Sequence, residues 1–213
     1  MSTTLANETM TPLEYLAREA VAETKSEYVA GTMRAMAGAS PEHVTICFNL
    51  AREVGLQIRR TTCRGSGGDM RVWIEVCERY YYSDLSITCS SPQFEMRMGL
   101  RALVNPAVIV EVISATTEAI DRGEKFLCYQ EMDSLSAYVL IAQATPRIEV
   151  FTRGEEGEWP PTVAVGLGAE ILLPVANCTL RLADIYVDVD FSGGELASEG
   201  SGVRRKQILT PDS

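Results

Sequence analysis

The chain holds a single histidine, His43. A Ser–His triad or a cage of histidines around a metal would have to recruit that one residue, which stands in a first helical turn, where surface or packing roles are commoner. None of the six cysteines (Cys47, Cys63, Cys77, Cys89, Cys128, Cys178) forms a Cys-x-x-Cys pair, so zinc-site spacing is missing. They read as small, reduced, mostly buried hydrophobes. No apolar run approaches the length of a membrane span, and MSTTLANETM lacks the basic and apolar regions of a signal peptide. A cytoplasmic protein with no membrane contact is expected. Positive charge is scarce: 19 Lys and Arg face 29 Asp and Glu, a net charge of −10. That argues against tight non-specific binding to nucleic acid, which needs cations on phosphates. A metal-dependent enzyme acting on phosphates stays open, because a bound Mg²⁺ can be the largest local charge in its site. One basic patch breaks the trend. Arg52, Arg59, Arg60, Arg64 and Arg71 face only Glu53 and Asp69 in the same window, either a phosphate-facing edge or, more commonly, a solvated rim. No internal repeat is visible.

What is present is ordinary in bulk: 213 residues, 46% apolar and 23% charged, enough for one globular domain with a sizeable core. Residues 1–10 read as a flexible start, 11–191 as the folded domain, and 192–213 as a disordered Gly/Ser/charged tail. Thr11-Pro12-Leu13-Glu14 is a capping box opening a helix over 12–23, with Leu13, Leu16, Ala17, Ala20 and Val21 inward. Ala30-Gly31 reads as a tight hairpin turn, with Glu27 at its entry as an exposed strand-edge carboxylate. Ser40-Pro41 caps a second helix with Val44, Cys47, Phe48, Ala51 and Val54 as its apolar stripe. Short strands follow over 61–64, 70–76 and 80–88, then a loop over 90–104. Asp84 falls inside the run YYYSDLSIT, where Asp is poorly suited. Further strands are expected at 137–142, 148–152 and within 162–173, with a short closing helix over 180–186. The order predicts an α/β core with a central mixed sheet flanked by helices and a β-rich C-terminal half.

The informative stretch is NPAVIVEVISATTEAIDRGEKFLCY, residues 105–129. A run of Val and Ile reads as a buried strand, and Glu111 interrupts it. An unpartnered buried charge is expensive, so such a carboxylate binds something or changes its pKa. A Ser-Ala-Thr-Thr turn follows, then a helix with Asp121 and Lys125 spaced i, i+4 on one face. If the Asp84 and Glu111 strands pair, their oxygens converge, and oxygen ligands with open positions suit Mg²⁺ or Mn²⁺. An ion so held activates water for displacement at phosphorus, with a nearby ammonium to help.

The segments SEYVAGTMRAMAGAS-x-x-H, YYYSDLSITC, NPAVIVEVIS-x-x-TE-x-x-DRGEKF-x-x-Y, SL-x-AYVLI and LADIYVDVDF, in that order, resemble the Uma-two-type restriction endonuclease family of the PD-(D/E)xK nuclease superfamily. The resemblance implies a restriction-endonuclease-like core and a metal-dependent nuclease acting on DNA. It places Asp84 at the motif aspartate and Glu111 at the acidic position of the (D/E)xK strand, both as metal ligands. Lys125 falls at a helix lysine used in place of the strand lysine, and Glu27 at an early acidic position completing the site. Asp121 and His43 lie beside this set as weaker candidates. Ser83 stands where the pattern has Pro, and Ile113 where a strict motif has Lys. Two other readings stay open: a binding or regulatory protein that kept the fold without turnover, and a metal-dependent hydrolase of a small phosphorylated substrate. A homodimer is compatible with cutting both strands and not required by the sequence.

Overall fold

The computed structural model describes residues 9–36 and 38–191. Helix α1 (Pro12–Glu19) starts at Thr11, whose hydroxyl accepts from Glu14 N while the Glu14 carboxylate accepts from Thr11 N. It is shorter than the apolar spacing suggests. Tyr15, Leu16 and Glu19 turn inward, whereas Leu13 and Val21 lie in solvent. Strands β1 (Ser26–Val29) and β2 (Thr32–Ala35) form the expected hairpin. Its two turn residues, Ala30 (φ 41°) and Gly31 (φ 91°), are both left-handed, as a two-residue turn of matching twist requires. A side chain at Gly31 would meet Thr9 Cβ at 2.9 Å. The Met10 N–H donates to Gly31 O, and the Tyr28 hydroxyl to Met10 O, so Met10 itself is tied to the hairpin. Residues 1–8 and the tail from 192 lie outside the described residues.

Helix α2 (Pro41–Ile58) is capped by Ser40, and its inward face is Ile46, Leu50, Val54 and Ile58, with Asn49 donating to Ile185 O and Val187 O. The predicted stripe is therefore rotated: Val44, Phe48 and Ala51 are exposed and only Val54 of its ends is buried. An i, i+4 row and its neighbour are equally apolar here, and the sheet beneath selects one.

The strands β3 (Arg64–Gly67), β4 (Arg71–Ile74), β5 (Arg79–Tyr82), β6 (Leu85–Thr88), β7 (Phe94–Arg97), β8 (Leu100–Leu103), β9 (Val108–Ile113), β10 (Ala137–Ala142), β11 (Arg147–Thr152), β12 (Pro161–Val165), β13 (Glu170–Leu173) and β14 (Cys178–Arg181) build two large mixed sheets and a small one. One sheet runs β2-β1-β5-β4-β8-β7, the other β12-β11-β10-β9-β6-β3. The second is the central mixed sheet the sequence implies; the first lies against it. The aromatic run 80–88 reads as one strand, but it breaks at Ser83-Asp84, where the chain passes from the first sheet into the second. The supposed loop 90–104 carries the β7–β8 hairpin, closed by Met98 (φ 51°) and Gly99 (φ 76°). The closing helix α5 (Leu182–Ile185) begins only after β14.

Alternation along β9 fixes the layers. Val108, Val110 and Val112 face α2 with Leu85, Ile87, Val139 and Ile141. Ile109 and Ile113 face the other way, into the space between the sheets, with Val29, Val72, Ile74, Tyr81, Tyr138 and Leu140. A third cluster under α1 joins Tyr15, Leu16, Tyr28, Trp73 and Tyr80.

The cysteines correct the sequence reading. Cys63 and Cys89, one step past the β3–β6 pair Arg64↔Thr88, are disulfide-bonded, as are Cys77 and Cys128, with Cα separations of 3.8 and 6.0 Å. Their sequence separations, 26 and 51, carry no motif; strand pairing and helix docking bring them together. Cys47 and Cys178 are free.

Candidate active site

Glu111 occupies the one polar position of β9 on the face shared with Ile109 and Ile113, so it points between the sheets. Leu140 of the parallel strand β10 stands opposite it. The chain then turns through Ser114–Thr117, where Ser114 N donates to Thr117 Oγ1 and Asp121 N to Thr117 O. After a short helical turn, α3 (Glu118–Ile120), the chain kinks within Asp121–Lys125 before α4 (Phe126–Gln130). Gly123 leaves helical dihedrals there (φ −104°, ψ −105°). The Tyr138 hydroxyl, donating to Asp121 O at 2.9 Å, fastens the turn to β10. Lys125 Nζ lies 3.3 Å from Glu111 Oε1, 3.0 Å from Glu27 Oε1 and 3.6 Å from Asp121 Oδ1, above the Tyr81 ring.

Glu27 is not the exposed edge carboxylate its local sequence suggests. Strand β1 has a neighbour on each side, β2 and β5, and Glu27 faces inward, accepting from Tyr82 N at 3.3 Å. Glu27, Glu111, Asp121 and Lys125 are each only 4–8% exposed.

Asp84 sits in the break between the sheets rather than within a strand. The β6–β9 register pairs Leu85 with Val110, and one further step sets Asp84 against Glu111. Its two oxygens are separately held: Oδ2 accepts from Val112 N at 2.7 Å, and Oδ1 meets His43 Nε2 at 3.1 Å. Cys47, one turn along α2 from His43, completes a group whose nitrogen, sulfur and oxygen atoms all lie within 4.8 Å of one another. The structure thus brings the candidates into two adjoining sets. Glu27, Glu111 and Asp121 surround Lys125, while Asp84 turns to His43 and Val112. Cys47 entered the sequence reading only as part of an apolar stripe, although its i, i+4 spacing from the only histidine was there to be read.

The cation patch divides. Arg59, Arg60 and Arg64 line an open cleft of about 560 Å³ with Val54, Ile58 and Leu85. Arg52 pairs with Glu53. Arg71 is buried, donating to the Tyr82 hydroxyl beside Glu19, and so does not belong to a phosphate-facing edge.

Charge is the distinctive property of the Lys125 cluster: three carboxylates share one ammonium. Burial pushes the Glu111 carboxyl well above its ordinary range; Lys125 opposes the shift, and Asp121, Asp84 and Glu27 add to it. Asp121 is raised for the same first reason. Burial alone would lower the Lys125 pKa, but Glu111, Glu27 and Asp121 together hold the ammonium well above its usual value. The hydrogen bond to Asp84 raises His43, and burial raises the Cys47 thiol, with Asp84 and Glu111 adding to it. The Tyr129 hydroxyl is buried against this cluster, feels Glu111, and has no hydrogen-bond partner among the described residues. With all three carboxyls ionised the cluster would carry two surplus negative charges, which a divalent cation would balance, and an oxygen-rich donor set fits Mg²⁺ or Mn²⁺.

The model of the family described as "Putative restriction endonuclease" (Uma2) matches residues 12–183. Two Synechocystis proteins, "Uncharacterized protein sll1609" and "Uncharacterized protein slr1290", are 35% identical over 76% of this chain and 30% identical over 70% of it, covering 91% and 77% of their own lengths. The fold resembles that of a crystal structure described as a "putative nuclease belonging to DUF820" from Anabaena variabilis, with TM-score 0.63 at 14% identity over 78% of this chain and 92% of that one. Among the described residues no helix is long and apolar enough to cross a membrane. The match over most of the chain establishes that this protein belongs to the Uma2 family.

Proposed function

We propose that this protein is a Mg²⁺- or Mn²⁺-dependent endonuclease that hydrolyses DNA phosphodiester bonds. The observation that carries the reading is the gathering of Glu27, Glu111, Asp121 and Lys125 from three separate segments, with Asp84 in the register position facing Glu111. A structural ion pair needs one acid for one base; this cluster keeps three acids, at a buried cost that an ion would offset.

Asp84 and Glu111 are the residues that would hold the ion. Bound there, it supplies positive charge to a phosphoryl oxygen and acidifies a water. The chain's own groups do the positioning. Val112 N–H fixes one Asp84 oxygen and so sets the direction of the other. Tyr82 N–H and Lys125 hold Glu27 in place. Lys125 stays protonated among its carboxylates, so its ammonium can orient the attacking water and stabilise the charge that grows on the phosphate. The walls of Ile109, Tyr81, Tyr129 and Tyr138 exclude bulk water and strengthen each of these interactions. The cleft bearing Arg59, Arg60 and Arg64 gives an otherwise acidic protein a place for the duplex backbone.

The test is cleavage of supercoiled plasmid with Mg²⁺ or Mn²⁺ by the wild type, Glu111→Gln and Lys125→Ala, alongside a small phosphodiester. DNA cleavage that needs metal and is lost in both variants is expected. Turnover of the small ester with DNA left intact, or no metal-dependent cleavage at all, overturns the reading.

A further inference from the structure

A second kind of donor chemistry adjoins the oxygen-rich cluster. His43 and Cys47 are one turn apart on α2 and therefore share a face. The helix start is fixed by Pro41 and by the Ser40 hydroxyl, which accepts from His43 N at 3.2 Å. Both side chains are directed at Asp84, and Asp84 is fixed from behind by Val112 N–H at 2.7 Å. One imidazole nitrogen, one sulfur and one carboxylate oxygen thus lie within 4.8 Å of each other, drawn from a rigid helix and a sheet junction.

We propose that His43, Cys47 and Asp84 form a binding site for a borderline-soft divalent ion of the zinc and cobalt class. Metal–nitrogen and metal–oxygen bonds of about 2.0–2.2 Å and a metal–sulfur bond of about 2.3 Å set such ligand atoms roughly 3–4 Å apart in a tetrahedron. The His43–Asp84 separation of 3.1 Å falls at that spacing before any ion arrives. Three protein ligands leave a fourth position for water or a phosphoryl oxygen, as catalytic rather than structural zinc sites do. Thiolate and imidazole are poor ligands for Mg²⁺, so the group selects against that ion. Cys47 is free while four of the other five cysteines are paired. The inference goes beyond the nuclease reading, on which its link to catalysis rests: it gives Asp84 Oδ1, on the His43 side, an ion distinct from the Mg²⁺ or Mn²⁺ proposed beside Glu111, and the ligand geometry does not depend on that reading.

Co²⁺ titrated into the full chain, followed by absorption, reads the site without any activity. Sulfur-to-cobalt charge transfer in the near ultraviolet is expected at one equivalent, unaffected by excess Mg²⁺. Cys47→Ser removes that band, and His43→Ala weakens Co²⁺ binding by at least the roughly 10–100-fold that loss of an outer-shell partner costs. Zn²⁺ should also protect Cys47 of the wild type from alkylation, read by mass spectrometry, so the outcome does not hang on a variant that folds. Co²⁺ bound without the band, a band that survives Cys47→Ser, or Cys47 alkylated equally with and without Zn²⁺ overturns the proposal. The two readings fail separately. A thiolate band and Cys47 protection without DNA cleavage keep this site and sink the nuclease. Metal-dependent cleavage with neither signal sinks this site alone.

Discussion

Two buried ionic clusters sit close to β1, and they are built on opposite principles. On the α1 side, Glu19 accepts from Ser26 N, Ser26 Oγ and the Tyr82 hydroxyl, and Arg71, its Nη2 3.7 Å from Glu19 Oε1, donates to that same hydroxyl. One acid meets one base and the spare oxygens are filled by donors. Between the sheets, Glu27, Glu111 and Asp121 crowd one lysine. Adjacent residues of one strand, Ser26 and Glu27, serve the two clusters from its two faces. The first cluster is complete in itself and holds α1 to the sheet. The second lacks positive charge, a deficit that the proposed ion would fill.

Removing each cluster's cation gives the largest effect and separates the two. Lys125→Met and Arg71→Met should each cost about 3–5 kcal/mol in urea denaturation, because each strands buried carboxylates. Mn²⁺ should restore part of the loss in Lys125→Met and none in Arg71→Met. Equal behaviour of the two variants toward Mn²⁺ would erase the distinction drawn here.

Neutralising an acid sharpens it further. Glu19→Gln loses charged hydrogen bonds and should cost about 1–3 kcal/mol. Glu111→Gln relieves like-charge crowding, so the metal-free protein should be unchanged or more stable.

Acidity gives a smaller, signed effect. The Glu111 and Asp121 carboxyls are raised above 4.5 and 3.8 in the folded state, so their contribution is complete below those ordinary values and is lost as pH rises through the raised ones. His43, raised above 6.5, acts in the same sense. Glu149, lowered by its hydrogen bond from Arg122, acts oppositely and loses its contribution as pH falls below 4.5. The metal-free protein should therefore melt highest in mild acid and lower at neutrality, while affinity for divalent ions rises with pH as the carboxyls lose their protons. A melting temperature that climbs steadily toward neutral pH would contradict both shifts.

The smallest expected change is at the cleft. Arg59→Ala or Arg60→Ala should reduce the salt slope of DNA binding by about 1 each, uniformly across sequences.

How far the sequence could be read follows the range of the interactions involved. Caps and turns were legible because their chemistry is local: Thr11 with Glu14, Ser40 with Pro41, Ala30 with Gly31. Glu111 stood out because a lone acid in a Val/Ile run has few innocent explanations. The wrong stripe on α2, the Met98-Gly99 hairpin taken for loop and the disulfides were not legible, since each depends on which partner a distant segment brings. Glu27 looked like an edge residue until β5 paired with β1. Asp84 looked like a strand residue because nothing local reveals that the chain changes sheets beside it. Its position at that junction sets it one register step from Leu85↔Val110, opposite Glu111, while its carboxylate reaches Val112 N and His43 of α2.

The central claim is that the three-acid, one-lysine cluster is completed by a divalent ion. Thermal melting of the wild type and Glu111→Gln, each with and without Mn²⁺, tests it most directly. The account predicts that Mn²⁺ raises the wild-type midpoint and leaves that of Glu111→Gln, itself as stable as the metal-free wild type or more so, where it was. A wild type indifferent to Mn²⁺, together with a Glu111→Gln that melts lower, would make Glu111 a structural partner of Lys125 and contradict the account.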